Sequence, residues 1–256
     1  MGFAYIGVDE AIARGGLRMV VVGGMPSPWG EAAKGIFHIK RLEWSAVRLD
    51  YDSEPLKQWA GQRSGPVAIY EHERPRSGWA EILLLAERLA PTPSLLPADA
   101  AQRALMFGLA HEICGEAGLA WSRRLQLVHA GLSGIGGFAP RVAQYLAKKY
   151  GYSPAAGAGA GARVAQLLTM LATRAQAQRA AGSRYLVGHS LTAADVYCAT
   201  AMALWRPLPH EQCPMDAASR AAVQWRDEQS DAALDPILLA HRAMMYAEHL
   251  ELPLSL

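Results

Sequence analysis

The sequence predicts an α/β domain followed by an all-α domain, and three observations support this fold class. Residues 17–89 alternate in the order β-α-β-α-β, then a shortened strand and a helix, which is typical of an α/β unit. A proline-rich break follows at 90–97. Beyond it the periodic segments are helical and no convincing strand pattern occurs. We therefore expect an α/β domain over 17–90 and a helical domain over 98–256.

Each element of the α/β domain has its own local signal. β-branched or alternating apolar runs beside Gly or Pro indicate strands, and apolar residues three and four apart indicate helices. The expected strands are 17–22, 44–49 and 66–70, and the expected helices are 30–40, 54–62 and 77–89. Residues 1–16 contain Asp9, Glu10 and Arg14 without a long apolar core. We therefore expect a short N-terminal extension there, not a signal peptide.

The helical half divides into several periodic segments. The expected helices lie at roughly 98–128, 137–149, 161–181, 193–205 and 231–248, from their 3.6-residue apolar period. The Gly- and Ala-rich stretch 151–161 joins two of them, and we interpret it as a loose loop. It follows no strand and lacks the Lys-Ser/Thr ending of a phosphate-binding loop, which argues against a nucleotide site.

Composition excludes several classes of protein. Apolar residues make up 51% of the 256 residues, and the net charge is +2 without a basic block. This gives no electrostatic case for binding nucleic acid or an anionic membrane. Cys114, Cys198 and Cys213 are too few and too scattered for a disulfide framework or a cysteine metal site. We expect a reduced, cytoplasmic protein without a membrane span.

A helix-capping pattern stands late in the helical half. Thr192 is placed at an N-cap, and Asp195 follows at the third helical position, from which its carboxylate can reach back to the N-cap N–H. Leu191 and Val196 are spaced for a hydrophobic staple. By itself such a box only starts a helix, so we interpret both polar residues as structural.

Two other motifs could carry chemistry. Ser27 lies between the first strand and the first helix of the α/β domain, where unpaired N–H groups stabilise an anion. A hydroxyl there could hold a thiolate and lower the pKa of the thiol. Alternatively, Ser27 and Pro28 only cap and start the helix. Gly65 precedes Pro66 at the first residue of a strand, which is where proline is best tolerated.

These motifs, in this order of elements, resemble the cytosolic glutathione transferase superfamily, in particular its Ser-type bacterial members. The resemblance covers nearly the whole chain from Leu17 and implies a thioredoxin-like N-terminal domain. It implies that Ser27 stabilises the thiolate of glutathione. It also implies a cis Pro66, whose neighbours present main-chain groups to the cysteinyl part of glutathione. The implied glutathione-binding residues are Gly65, Pro66, Val67, Arg76 and Ser77.

The resemblance is weakest at Arg76-Ser77. In the family, an acidic residue followed by Ser starts this helix; the Ser binds the γ-glutamyl carboxylate and the acid binds the γ-glutamyl amine. Ser77 matches, whereas Arg76 would repel an ammonium group and could instead pair with a carboxylate. Glu71 or Glu73 could replace the acid.

The implied activity is conjugation of the glutathione thiol to a small hydrophobic electrophile, as in detoxification. Glutathione would be the co-substrate, no metal would be needed, and the protein would be a homodimer. The implied acceptor pocket includes Met106, Leu109 and Ile113. The alternative, favoured by Arg76, is a non-catalytic binding or assembly protein of the same fold, or one with its site retuned for another anionic ligand.

Overall fold

The computed structural model describes residues 3–256, which divide into two compact units. The first unit runs to Ser94 and also includes Pro209–Pro214 and His249–Leu256. The second comprises Leu95–Leu208 and Met215–Glu248. Two short segments from the C-terminal half of the chain therefore group with the α/β unit.

The first unit is a four-stranded mixed sheet with helices. Its elements are β1 Tyr5–Ile6, α1 Val8–Ala13, β2 Leu17–Val21, α2 Pro28–Ile39, β3 Ser45–Arg48, α3 Glu54–Ala60, β4 Val67–Tyr70 and α4 Trp79–Leu89. The strand order is β1-β3-β2-β4. β2 pairs with β3 in parallel and with β4 in antiparallel orientation. The expected α/β + all-α fold class, with a thioredoxin-like first unit, is confirmed.

The N-terminal residues add a β-α unit to this sheet, although the sequence suggested only an extension over 1–16. Tyr5 pairs with Ala46 in a parallel register, so β1 lies beside β3. Arg18, on β2, is 2% exposed, and its guanidinium donates to the carbonyls of Ala11, at 3.2 Å, and of Arg14. A buried cation thus fastens the end of α1 to the sheet. A strand of two residues has no readable period, which is why the pattern missed it.

The two faces of the sheet are both buried. Alternate residues of a strand point to opposite faces, and one face carries Val20, Val47 and Val67 together with residues of α1 and α3. Met19, Ala46 and Ala68 occupy the alternate positions and have no exposed surface. Because both faces are buried, the sequence of β2 is apolar at every position except Arg18 and does not alternate with polar residues.

The second unit contains helices and, among its described residues, no strand. The helices are α5 Ala100–Cys114, α6 Leu119–Leu132, α7 Pro140–Lys149, α8 Pro154–Ala180, α9 Ala193–Ala201, α10 Ala217–Val223, α11 Glu228–Ala233 and α12 Pro236–Glu248. A 3₁₀ turn at Met202–Leu204 extends α9. The expected helix at 98–128 is two helices, broken at the Gly115–Gly118 turn. No helix in residues 3–256 has the length and apolarity to cross a membrane.

The expected loose loop at 151–161 is wrong from residue 154 onward. Ser153 caps α8 by accepting a hydrogen bond from Ala156 N at 3.1 Å, and Pro154 occupies the first turn. A Cβ on Gly157 would lie 2.6 Å from the His129 ring. The glycine that suggested flexibility instead lets α8 approach α6 closely, and tertiary packing overrides its low helix propensity.

The capping box of α9 is the centre of a buried polar network. Asp195 has no exposed surface, and its Oδ2 accepts from the backbone N and the hydroxyl of Thr192, both at 2.9 Å. Its Oδ1 accepts from Leu186 N at 2.7 Å and lies 3.0 Å from His241 Nε2, on α12. One carboxylate therefore joins the start of α9, the preceding turn and the last helix.

Asp195→Ala should strongly destabilise the helical unit. Removing one partner of a buried ion pair costs about 3–5 kcal/mol, so we expect a fall in melting temperature of about 10 °C. Asp216→Ala is the matched control, because Asp216 also caps a helix but is exposed. Calorimetry of both variants checks this. An Asp195→Ala protein that melts like the Asp216→Ala protein would contradict the structural role of the network.

The pair formed by His241 and Asp195 should make stability depend on pH. Burial alone would lower the pKa of His241, but its hydrogen bonds with Asp195 and Cys198 raise that pKa to about 10. An unfolded histidine titrates near about 6.5. Stabilisation by protonated His241 is therefore complete below that pH and is lost as the pH rises towards 10. Urea unfolding between pH 6 and 10 should show a decline that His241→Gln lacks; parallel curves for the two proteins would refute it.

Candidate functional site

Ser27 lies at the N-terminus of α2, just after the carboxyl end of β2. It occupies the N-cap position, Pro28 follows at the first helical position, and Ser27 O accepts the first helical bond from Glu31 N at 2.7 Å. Ser27 is 7% exposed. The sequence thus placed this residue correctly at a helix start, with proline in the first turn setting the helical φ angle.

The hydroxyl of Ser27 does not cap its helix. Within residues 3–256, three helices follow a serine at the N-cap: those after Ser27, Ser53 and Ser153. Ser53 accepts from Leu56 N at 3.2 Å, and Ser153 also accepts a helix N–H. Ser27 makes no such side-chain bond among the described residues. Its hydroxyl therefore remains available to another group at a helix end that favours negative charge.

Gly65 lies against the same end of β2. The Gly65–Pro66 peptide is cis, which confirms the sequence expectation. Val67 pairs with Val20 at the start of β4. A Cβ on Gly65 would lie 3.3 Å from Val20 O, so glycine permits a close approach between backbones. The structure therefore places residues 65–67 beside the carboxyl half of β2, and the chain that leaves this end of β2 leads to Ser27.

A buried carboxylate on α2 was not anticipated from the sequence. Glu31 is 5% exposed, and burial raises the pKa of its carboxyl, although the Lys34 ammonium opposes this at 2.6 Å. Lys34 also donates to Ser255 O at 2.6 Å. The pair ties α2 to the C-terminal segment of the same unit. The only sequence signal was the spacing of three residues between Glu31 and Lys34.

The start of α4 differs from the expectation. The helix begins at Trp79, with Gly78 at the N-cap, so Ser77 precedes the helix and does not cap it. The Glu81 carboxylate accepts from Gly78 N at 3.2 Å and pairs with Arg74 at 2.8 Å. The sequence signal for Glu81 was an acid three residues after the N-cap, as in a capping box.

Arg76 is held by an ion pair. Its guanidinium donates to Glu73 Oε2 at 2.6 Å, and Arg88 donates to the same carboxylate at 2.6 Å. These hydrogen bonds, from Arg88 first and then Arg76, lower the pKa of Glu73. The backbone of Arg76 bonds to Ala68 in both directions. Among the described residues, this single bridge is all that forms of the shortened strand that the sequence suggested after residue 70.

The expected acceptor-pocket residues lie in the interior of the helical unit. Met106, Leu109 and Ile113, on α5, are 0%, 6% and 0% exposed. Their role in binding an electrophile stays a prediction. No group of three or more His, Cys, Asp or Glu in residues 3–256 is arranged to hold a metal ion.

Comparison with known proteins connects this geometry to one fold. No family model and no curated protein matches the sequence. A solved glutathione S-transferase from Methylobacterium radiotolerans, in complex with glutathione sulfonate, is 17% identical with a TM-score of 0.56, and 91% of each chain is covered. A glutathione S-transferase domain-containing protein from Marinobacter aquaeolei VT8 is 17% identical with a TM-score of 0.62, covering 90% of this chain and 98% of that one.

A third solved structure matches a similar share of this chain. It is a glutathione S-transferase from Methylobacillus flagellatus with GSH bound, 15% identical with a TM-score of 0.59, covering 90% of this chain and 94% of that one. The chain therefore has the glutathione S-transferase fold, as the resemblance in its sequence indicated.

Gly65→Ala should destabilise the α/β unit. The new methyl group would press on the Val20 carbonyl, and overpacking against backbone costs about 1 kcal/mol or more. Gly108→Ala is the matched control. Gly108 is exposed on α5, and none of the described atoms beyond its own helix backbone and chain neighbours lies within 4 Å of the added Cβ. That change should stabilise by about 0.5–1 kcal/mol. Urea unfolding measures both, and stabilisation by Gly65→Ala would contradict the close approach.

Proposed function

We propose that this chain, which has the glutathione S-transferase fold, joins the glutathione thiol to a small hydrophobic electrophile. The observation that carries the proposal is the hydroxyl of Ser27, which stands at the N-terminus of α2 without capping it. A helix N-terminus favours an anion, and a hydroxyl is a donor that a thiolate can accept from. Both features favour ionisation of a bound thiol.

In the proposed reaction, the thiol loses its proton to solvent and the thiolate accepts a hydrogen bond from Ser27. The sulfur lone pair then attacks an electrophilic carbon, a carbon–sulfur bond forms, and the leaving group departs with its bonding electrons. Main-chain groups of Gly65, Pro66 and Val67 would hold the cysteinyl part. Most of the rate gain would come from thiol activation and from positioning the two reactants.

The remaining parts of the proposal rest on the resemblance. An acceptor role for Met106, Leu109 and Ile113 would require these side chains, which are buried in the helical unit, to become accessible, and two copies of the chain would form a homodimer. Ser77 would contribute to binding the γ-glutamyl carboxylate of glutathione.

A second candidate is a protein of the same fold that binds another ligand without catalysis. Arg76, in place of the family's acidic residue, favours it. The ion pair between Arg76 and Glu73, at 2.6 Å, weakens the version in which Arg76 recruits a different anion, because the guanidinium already has a carboxylate partner.

Ser27→Ala should lower turnover at neutral pH by about tenfold or more, since a hydrogen bond to a charged group contributes about 1.5–3 kcal/mol. The deficit should shrink as the pH rises through the ordinary thiol pKa of about 8.5, because the thiol then ionises without the hydroxyl. The measurement is the rate of glutathione conjugation to a nitro-activated aryl chloride from pH 6 to 9.

Ser53→Ala is the control for this experiment. Its hydroxyl caps α3, so the variant should lose thermal stability and keep its turnover per folded molecule. If Ser27→Ala retains full turnover while Ser53→Ala behaves as described, the catalytic proposal fails and the second candidate is favoured.

A further inference from the structure

Two neighbouring arginines of α6 are both buried, but their guanidinium groups have very different partners. Arg123 is 1% exposed. Its guanidinium donates to three backbone carbonyls at 3.1, 3.2 and 2.7 Å, those of Leu204, Val223 and Trp225. The fold therefore uses the hydrogen-bonding capacity of this side chain to join α6 to segments far along the chain.

Arg124 is also buried, yet none of the residues that the structure describes forms a hydrogen bond or an ion pair with its guanidinium. Arg124 is 5% exposed, and its Nε is enclosed without a partner. Its Cζ lies 5.4 Å from the centroid of the Phe138 ring. A guanidinium in a protein is always charged, and a buried charge without a partner costs free energy. Contact with one aromatic ring offsets only part of that cost.

The chain around Arg124 contains no acid that could neutralise it. Residues 117–194, which include α6, α7 and α8, contain nine Lys or Arg and no Asp or Glu. The nine cations are spread along this stretch and form no contiguous block. α6 packs against α7 and α8, so these two helices bring cations and no carboxylate to it. On α5, which also packs against α6, Glu112 pairs with Arg163.

A second cation and a phenol lie close to Arg124. Burial lowers the pKa of Lys149, at the end of α7, and repulsion by Arg124 lowers it further. Burial raises the pKa of the Tyr150 hydroxyl, and Arg124 opposes that rise. Tyr150 is 7% exposed, and its ring packs edge-on against Trp121 with 4.7 Å between the ring centroids. The surroundings of Arg124 are therefore cationic and aromatic.

We propose that Arg124 anchors a binding site for a small oxyanion in the helical unit, with Lys149 and Tyr150 beside it. The ligand group is a carboxylate or a phosphate, because either presents two oxygens that match the guanidinium fork. The anion supplies the acceptors that the fold does not, and its charge relieves the repulsion between Arg124 and Lys149. The thiol chemistry proposed for Ser27 plays no part in this binding.

The protein without a bound anion should be no less stable when Arg124 is removed. Arg124→Met removes an uncompensated buried charge and keeps an unbranched apolar stem, so its melting temperature in chloride buffer should equal or exceed that of the wild type. Arg123→Met is the matched control, because it leaves three carbonyls without this donor and should melt at a clearly lower temperature. If Arg124→Met melts as low as Arg123→Met, Arg124 serves the fold and the proposed site is overturned.

The binding test titrates inorganic phosphate and benzoate separately into the full chain, in chloride buffer of constant ionic strength. Calorimetry should show saturable binding of at least one probe to the wild type. Arg124→Met should weaken it at least about tenfold, as expected for the loss of charge-assisted hydrogen bonds. Arg124→Lys keeps the charge without the fork and should give an intermediate affinity. Binding of phosphate alone identifies a phosphate ligand, binding of benzoate alone a carboxylate, and binding of both the oxyanion that they share.

Arg179→Met is the charge-matched control. Arg179 is exposed near the C-terminal end of α8, about 38 Å along that helix from Pro154, and Pro154 follows Tyr150 by four residues. This variant should leave both affinities unchanged. If Arg179→Met weakens binding as much as Arg124→Met does, the probe is an adventitious ion only, attracted by net charge, and the proposed site is overturned. Absence of saturable binding by either probe overturns it as well.

Discussion

The need to satisfy the free N–H groups at helix starts governs where this chain places its polar side chains. The first N–H groups of a helix have no partner within it, and at several helix starts of this chain a side chain supplies the acceptor. At α9 the acceptor is the buried Asp195, and at α4 it is Glu81. At α2 the side chain of Ser27, in the corresponding position, makes no such cap among the described residues. This difference is the basis for proposing a chemical role for Ser27 and a structural role for Asp195.

These three helix starts also differ in what their loss would do. Asp195 joins α9 to α12 through His241, so the packing of several elements depends on one carboxylate. Glu81 is partly exposed and contacts its own helix end and Arg74, so its loss should cost the fold less than the loss of Asp195. Ser27 is buried and its side chain does not cap α2, which is why we propose a role for it in binding.

The α/β unit shows how a buried charge can extend a fold. β1 and α1 are too short to be stable alone, since isolated short helices are marginal in water. The Arg18 guanidinium, inside the unit, donates to carbonyls at the end of α1 and to Glu71 O. Glu71 in turn accepts from Gly16 N. The same glutamate that could have replaced the family's acidic residue is therefore engaged in holding the N-terminal addition.

The sequence by itself determined the elements whose signals are local. The apolar periods predicted β2, β3, β4 and the main helices; the Thr192 and Asp195 spacing predicted the cap of α9; and Ser27-Pro28 predicted the start of α2. Only the tertiary structure decided the pairing of β1, the helical state of the Gly-Ala stretch, and the partners of Arg76 and Glu81. Helix and strand periods depend on neighbours along the chain, whereas strand pairing, close helix packing and ion-pair choice depend on residues that folding alone brings together.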